Sequence, residues 1–255
     1  MRLMKKVLGT VTVLALSASL LVGCGSGTAS SVPVSASSAA ESTVSSVEET
    51  ASSAVDENEA AAAQLLNDLT GSYQELWPVI LADEYKQTWL DALVGEDNAE
   101  AAFEKLSSMV TSDVYGEDAV EAYANGGGAY FCGFTNDLAT LTFEGETSTI
   151  SGTDKDGNEL FSHTYHYIGM ESVHGLYEFE SDDADSGEFT YFFLAPDTSA
   201  ETYHIEFRYG SDADALSQYD AGDYAYWVAS GISTDCDQTM IDNCIELFCT
   251  ENLAG

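Results

Sequence analysis

The chain has 255 residues, with 44 acidic side chains against seven basic ones and a formal net charge of −37. Such a field repels phosphate backbones and anionic headgroups and gathers cations, which excludes nucleic acid as a partner. With 45% hydrophobic residues, the chain can still build one domain with a sizeable core.

Taken from the N-terminus, Arg2, Lys5 and Lys6 precede an apolar run from Val7 to Leu21, and Leu21-Val22-Gly23-Cys24 closes it. A basic start, an apolar stretch and small residues before a cleavage point are the three parts of a secretory signal. A cysteine at that point reads as the acylation box of a bacterial lipoprotein. Cleavage before Cys24 would leave its thiol to carry lipid. At roughly 0.8 kcal/mol per buried methylene, several acyl chains hold a protein on a membrane without a spanning helix. Residues 1–23 are therefore expected to be a signal peptide and Cys24 the lipid anchor, with the rest of the chain on the extracytoplasmic face of the cell membrane.

From Gly25 to about Val55 the chain is Ser, Ala, Thr and Val with scattered Glu, a composition that cannot bury enough apolar surface to offset the entropy of ordering it. Residues 24–57 are read as the anchor and a disordered tether, and 58–255 as the folded domain. Loss of the signal peptide removes Arg2, Lys5 and Lys6 but no acidic residue. Lys86, Lys105, Lys155 and Arg208 then stand alone against the 44 carboxylates.

The first part of the domain has helical periodicity: Ala60 to Leu69, Tyr73 to Val94 with Pro78 near its first turn, Ala99 to Val110 and Gly116 to Ala124. Gly126-Gly127-Gly128 ends it. Short alternating runs follow: Ala129–Phe134, Leu138–Phe143, Ser148–Ser151, Glu159–Tyr167, Gly175–Glu180, Glu188–Ala195 and Thr202–Tyr209. Turn signals such as Asp156-Gly157-Asn158 separate them. Seven antiparallel strands at this spacing suggest a closed barrel or a sandwich. Asp212 to Tyr219 and Asp235 to Phe248 read as helices again.

Besides Cys24 there are four cysteines: Cys132, Cys236, Cys244 and Cys249. Their spacing matches no zinc-ribbon or redox motif, so they are expected to be buried or paired structural thiols. Of the possible pairs, one joining the last helix to Cys132 would constrain the unfolded chain most.

Several segments, in order, resemble the ZinT family of lipocalin-like metal-binding domains. Leu66-Asn67-Asp68-Leu69-Thr70-Gly71-Ser72-Tyr73-Gln74-Glu75-Leu76-Trp77-Pro78 is similar to the family's opening Gly-aromatic-Gln turn. Leu176-Tyr177-Glu178-Phe179-Glu180 is similar to its aromatic strand. Leu194-Ala195-Pro196 and Tyr203-His204-Ile205-Glu206-Phe207 are similar to its Ala-Pro and His-x-His-Ile segments. The resemblance implies a calycin or lipocalin-like antiparallel β-barrel, mainly β with added α, preceded by helices and followed by a C-terminal helix. It also implies zinc at the barrel mouth and a link to metal uptake.

The metal residues of the resemblance are only partly kept. Where the family has a histidine before its Ala-Pro element, this chain has Tyr191-Phe192-Phe193-Leu194, and Thr202 stands for the first histidine of His-x-His. His204 alone remains, whereas zinc favours three or four N, O or S donors. On an extended strand Thr202, His204, Glu206 and Arg208 share one face, with Tyr203, Ile205, Phe207 and Tyr209 on the other. His204 and Glu206 are the candidate metal ligands, and a further acidic side chain from a neighbouring strand would make an oxygen-rich site suited to zinc or a harder cation. A hydrogen-bonded His204 in a polar barrel interior is the competing reading. His163 and His166 have opposite parity on their strand, so at most one shares that face, and His174 is expected at a solvated strand edge.

No nucleophile elbow, phosphate loop or zinc-protease helix occurs. Glu178 and Glu180 form a carboxylate pair that a glycosidase could use, but acidic pairs are common in this composition. The chain is thus expected to be no enzyme. The leading expectation is a lipid-anchored extracytoplasmic binder of a divalent metal, zinc first, with an altered site near an uptake transporter. The alternative is a barrel that holds a small apolar ligand or a protein partner.

Overall fold

A computed structural model describes residues 57–93, 95, 98–126, 128–195 and 204–253. Cys24, the expected signal peptide, nearly all of the expected tether and Thr202 lie outside the described residues.

Eight antiparallel strands form a closed barrel in sequence order. They are β1 (Gly71–Glu75), β2 (Thr140–Glu144), β3 (Thr149–Thr153), β4 (Glu159–Met170), β5 (Tyr177–Ser181), β6 (Tyr191–Leu194), β7 (His204–Gly210) and β8 (Ala229–Ser233). The barrel closes where Gln74 of β1 pairs with Ile232 of β8. Closure leaves no open sheet edge, and it resolves the barrel-or-sandwich alternative.

Two expected elements change. Tyr73 to Val94 is not one helix: its first residues belong to β1, and the chain then bends into α2 (Leu76–Ile80) and α3 (Lys86–Ala92). The reason is pairing at long range, since Tyr73 sits opposite both Leu141 and Ser233. Conversely, the run Ala129–Phe134 forms no strand and makes only the isolated bridges of Phe131 to Thr111 and Trp227. Its amides bond to loop and side-chain acceptors instead, as when Phe131 N–H donates to Tyr226 O and Phe134 N–H to Glu75 Oε1.

Alternation along each strand sends one set of side chains inward. Directly paired residues share a face, so Phe143, Ile150, Phe161, Phe179, Phe192, Ile205, Phe207 and Tyr209 make one buried cluster inside the barrel. Their rings touch across it: Tyr165 meets Phe192 edge-on at 5.4 Å, and Phe192 stacks on Tyr209 at 5.4 Å. An eight-stranded barrel is just wide enough for side chains to fill, and here aromatic rings fill it.

A helix over 57–68, α1, contributes Ala62, Leu65 and Leu66 to the same cluster and covers one end of the barrel. It comes so close to the β2–β3 connection that a Cβ on Gly145 would lie 2.4 Å from the Asn67 Cα. A second apolar layer packs on the outer side of β1 and β8. It is built from α2, α3, α4 (Ala99–Ser108) and α7 (Gln238–Leu253), with Trp77, Trp89, Leu106, Ile232 and Ile245 buried between them. Two shorter helices, α5 (Glu117–Ala124) and α6 (Ala213–Leu216), complete the fold. No helix among the described residues is long and apolar enough to cross a membrane.

No disulfide joins any of Cys132, Cys236, Cys244 and Cys249. Cys132, Cys244 and Cys249 are buried in the outer apolar layer, where they act as small hydrophobic side chains. No bridge ties α7 to Cys132.

Candidate metal site on strand β7

The expected alternation on β7 holds, but its polar face points away from the barrel lumen. Ile205, Phe207 and Tyr209 enter the aromatic interior. His204 and Glu206 share the opposite face, as expected, and their strand partners are Ile232 and Ser230 of β8. Ile232 belongs to the outer layer under the helices, so that layer, not the lumen, is the setting of both candidate ligands. The expectation of His204 in a polar barrel interior is corrected on this point: the inward positions of the neighbouring strands carry Phe192 and Leu194 of β6 and Ala229 of β8, none of them polar.

Burial lowers the His204 imidazole to about 4. Loss of hydration penalises the charged ring, so at neutral pH it is unprotonated, the form in which imidazole binds metals. Glu206 stands close enough to Cys132 to help hold its thiol up, after the larger effect of burial, while Ser230 and Trp77 act to lower it. The approach of Cys132 to this face was not legible in the sequence, because it depends on how the strandless 130–135 segment lies along β8, with Ser230 N–H donating to Cys132 O at 3.0 Å.

Among the described residues, no three His, Cys, Asp or Glu side chains converge as a metal-binding group. Two donors from β7 do not complete a tetrahedral zinc shell, so these residues do not fit a tight zinc site.

The other histidines are engaged elsewhere. His163 lies on the inward side of β4, opposite Ile150, and its Nδ1 is 2.7 Å from Asp183 Oδ2. His166 lies on the outer side, opposite Glu180, with Nδ1 2.8 Å from Asp182 Oδ1. Neither joins His204. His174 is not a solvated edge residue. Its ring packs 3.8 Å from that of Tyr219, and its Nδ1 is buried 3.6 Å from Glu171 Oε2. Burial lowers its pKa, Arg208 adds to that, and Glu171 opposes it.

Arg208 shares the face of His204 and Glu206 but turns to a structural task. It is fully buried, its guanidinium lies 4.2 Å over the Tyr219 ring, and it donates to the carbonyls of Leu216, Gln218 and Tyr224. Glu178 and Glu180 share the outer face of β5, where Glu180 accepts the Tyr191 hydroxyl at 3.1 Å. Burial raises the Glu178 carboxyl, with Glu171 and Asp214 adding to it.

No family model and no curated protein matches the chain. Among solved structures it is similar to the Zn(II)-bound ZinT-like domain of Streptococcus pneumoniae AdcA, with 14% identity and a TM-score of 0.46, over 71% of this chain and 89% of that one. It is also similar to Zn(II)-bound AdcA from the same organism, at 14% identity and a TM-score of 0.43, over 72% of this chain and 35% of that one. The chain thus spans about a third of the whole AdcA chain. The zinc belongs to those two structures.

Proposed function

We propose that this chain is a lipid-anchored extracytoplasmic binding protein for a divalent metal, with a weakened site centred on His204 and Glu206 and a place near a metal-uptake transporter. The supporting observation is that β7 puts these two side chains on one face, an imidazole and a carboxylate two residues apart. This donor pair accepts zinc and tolerates harder cations. The strongly acidic chain raises the cation concentration around it. With two protein donors, water fills the remaining positions, so affinity falls well below that of a three-histidine site.

Titration calorimetry and thermal unfolding with zinc, manganese and calcium test the reading. Stabilisation by a ligand follows the ratio of its free concentration to its dissociation constant, so a weak site gives a shift only at high metal. His204→Ala and Glu206→Gln should each remove it. A wild-type chain without a shift for any of the three metals refutes the metal reading. The anchor is tested separately by detergent partitioning, where wild type should enter the detergent phase and Cys24→Ser should not.

A further inference from the structure

Three of the six exposed large apolar side chains among the described residues fall on one hairpin, at and just before the connection from β4 to β5. They are Ile168, Met170 and Val173, and Val173 is 66% exposed. The pairing of β4 with β5 shifts register between Tyr167 and Gly169, at Ile168, and such irregularities re-aim side chains. Behind the tip, Tyr167 and Tyr177 meet edge-on at 5.9 Å.

This stretch departs from the charge pattern of the chain. From Leu160 to Tyr177 there is no Lys or Arg, and Glu171 is the single carboxylate. Glu171 is only 3% exposed and accepts the amides of Val173 and His174 at 2.5 and 2.7 Å. The amides of Glu171 and Gly175 donate to the carbonyls of Leu176 and Glu171. The connection thus turns its one charge inward and meets much of its main-chain hydrogen bonding internally, as a medium without water requires. His174, whose ring packs 3.8 Å from that of Tyr219, pins it to the segment after β7.

The same end of the barrel receives the chain from its N-terminal side. Antiparallel strands in sequence order alternate direction, so the β2–β3 and β4–β5 connections share one end, and α1 packs against the first of them at Gly145. Glu59 of α1 is near enough to Tyr167 to help raise its hydroxyl pKa, after burial, Tyr177 and Glu178. We propose that this hairpin tip is a membrane contact: Met170 and Val173 enter the acyl boundary of a lipid bilayer, Ile168 follows at the rim, and Tyr167 and Tyr177 sit at headgroup depth. The inference rests on the lipid-anchored reading, in which residues 25–56 join Cys24 to α1 beside this tip. Tethering makes the contact intramolecular, at an effective concentration on the order of millimolar, so a few apolar side chains suffice although the chain is acidic. Glu59 and Glu178, behind the tip, keep the contact shallow.

The test uses the full lipidated chain, purified from membranes and reconstituted into phosphatidylcholine vesicles with brominated acyl chains. Val173→Trp should add a blue-shifted emission that bromine quenches, over the background of Trp77, Trp89 and Trp227. Lys155→Trp, on the β3–β4 turn at the opposite end of the barrel, should show no quenching beyond wild type. Adding Ile168→Ser and Met170→Ser to Val173→Trp should remove most of the quenching, with circular dichroism confirming the fold of every variant. Flotation of the same vesicles separates this inference from the anchor on which it rests. A chain that floats while Val173→Trp is unquenched, or quenched no more than Lys155→Trp, overturns the membrane contact alone. A chain that does not float overturns the anchor and the contact with it. A blue shift without quenching places a second copy over the tip and overturns the membrane contact as well.

Discussion

The Arg208 guanidinium lies 4.2 Å over the ring of Tyr219, and among the described residues it forms no ion pair with a carboxylate. Its charge is met instead by three main-chain carbonyls in the segment that follows β7. The fork geometry of a guanidinium reaches several carbonyls at once, which a lysine ammonium does not. Arg208→Met should therefore cost about 3 to 5 kcal/mol, since it strands buried acceptors. Arg208→Lys should cost less but remain clearly destabilising. Urea unfolding, read at unchanged m-value, checks both.

His174 gives the fold a dependence on pH. Its folded-state pKa is lowered, chiefly by burial, so the unfolded chain binds this proton more readily than the folded one. Its contribution is fully present above the ordinary histidine value of about 6.5 and is lost as pH falls through that value toward the lower folded one. The stability of wild type relative to His174→Gln should therefore decline as pH is lowered through that window. A difference constant across it would show that the ring is not held neutral by its surroundings.

The hydroxyl of Tyr209 accepts from Thr135 N–H at 2.6 Å and donates to Thr135 O at 2.9 Å. Tyr209→Phe keeps the ring in the barrel but leaves both main-chain groups without this partner. The expected cost is about 1 to 3 kcal/mol. Faster hydrogen exchange at the Thr135 amide should accompany it.

Gly145 is the point where α1 meets the barrel. Gly145→Ala would drive a methyl into the main chain of Leu66 and Asn67, which cannot move aside as a side-chain tip could. Overpacking of this kind costs about 1 to 3 kcal/mol. Limited proteolysis should then cut within 57–68 before it cuts the strands.

Much of this arrangement was legible in the sequence, and the failures have physical causes. Six of the seven expected strand runs became strands, because alternation is a local property of each run. β1 was missed because Gly71-Ser72 carries little β pattern, and its place is set by partners on β2 and β8 far along the chain. β8 was missed for a related reason: Ala229-Ser230-Gly231 has small side chains on both faces. The shared face of His204 and Glu206 followed from parity alone. Parity does not say which face is inside, and that was decided by the apolar residues that other strands turn inward, such as Phe143, Phe179 and Phe192.

Because Gln74 closes the barrel against Ile232, the first strand must wait for the last. A chain emerging from the ribosome N-terminus first holds β1 to β7 before β8 is available, with two unpaired edges facing each other. Long-range pairings of this kind fold slowly and expose aggregation-prone edges meanwhile. Truncations that remove α7 alone and those that also remove Ala229–Ser233 should thus differ in kind. The first loses a covering helix, while the second leaves an open sheet with a reason to find another copy of itself.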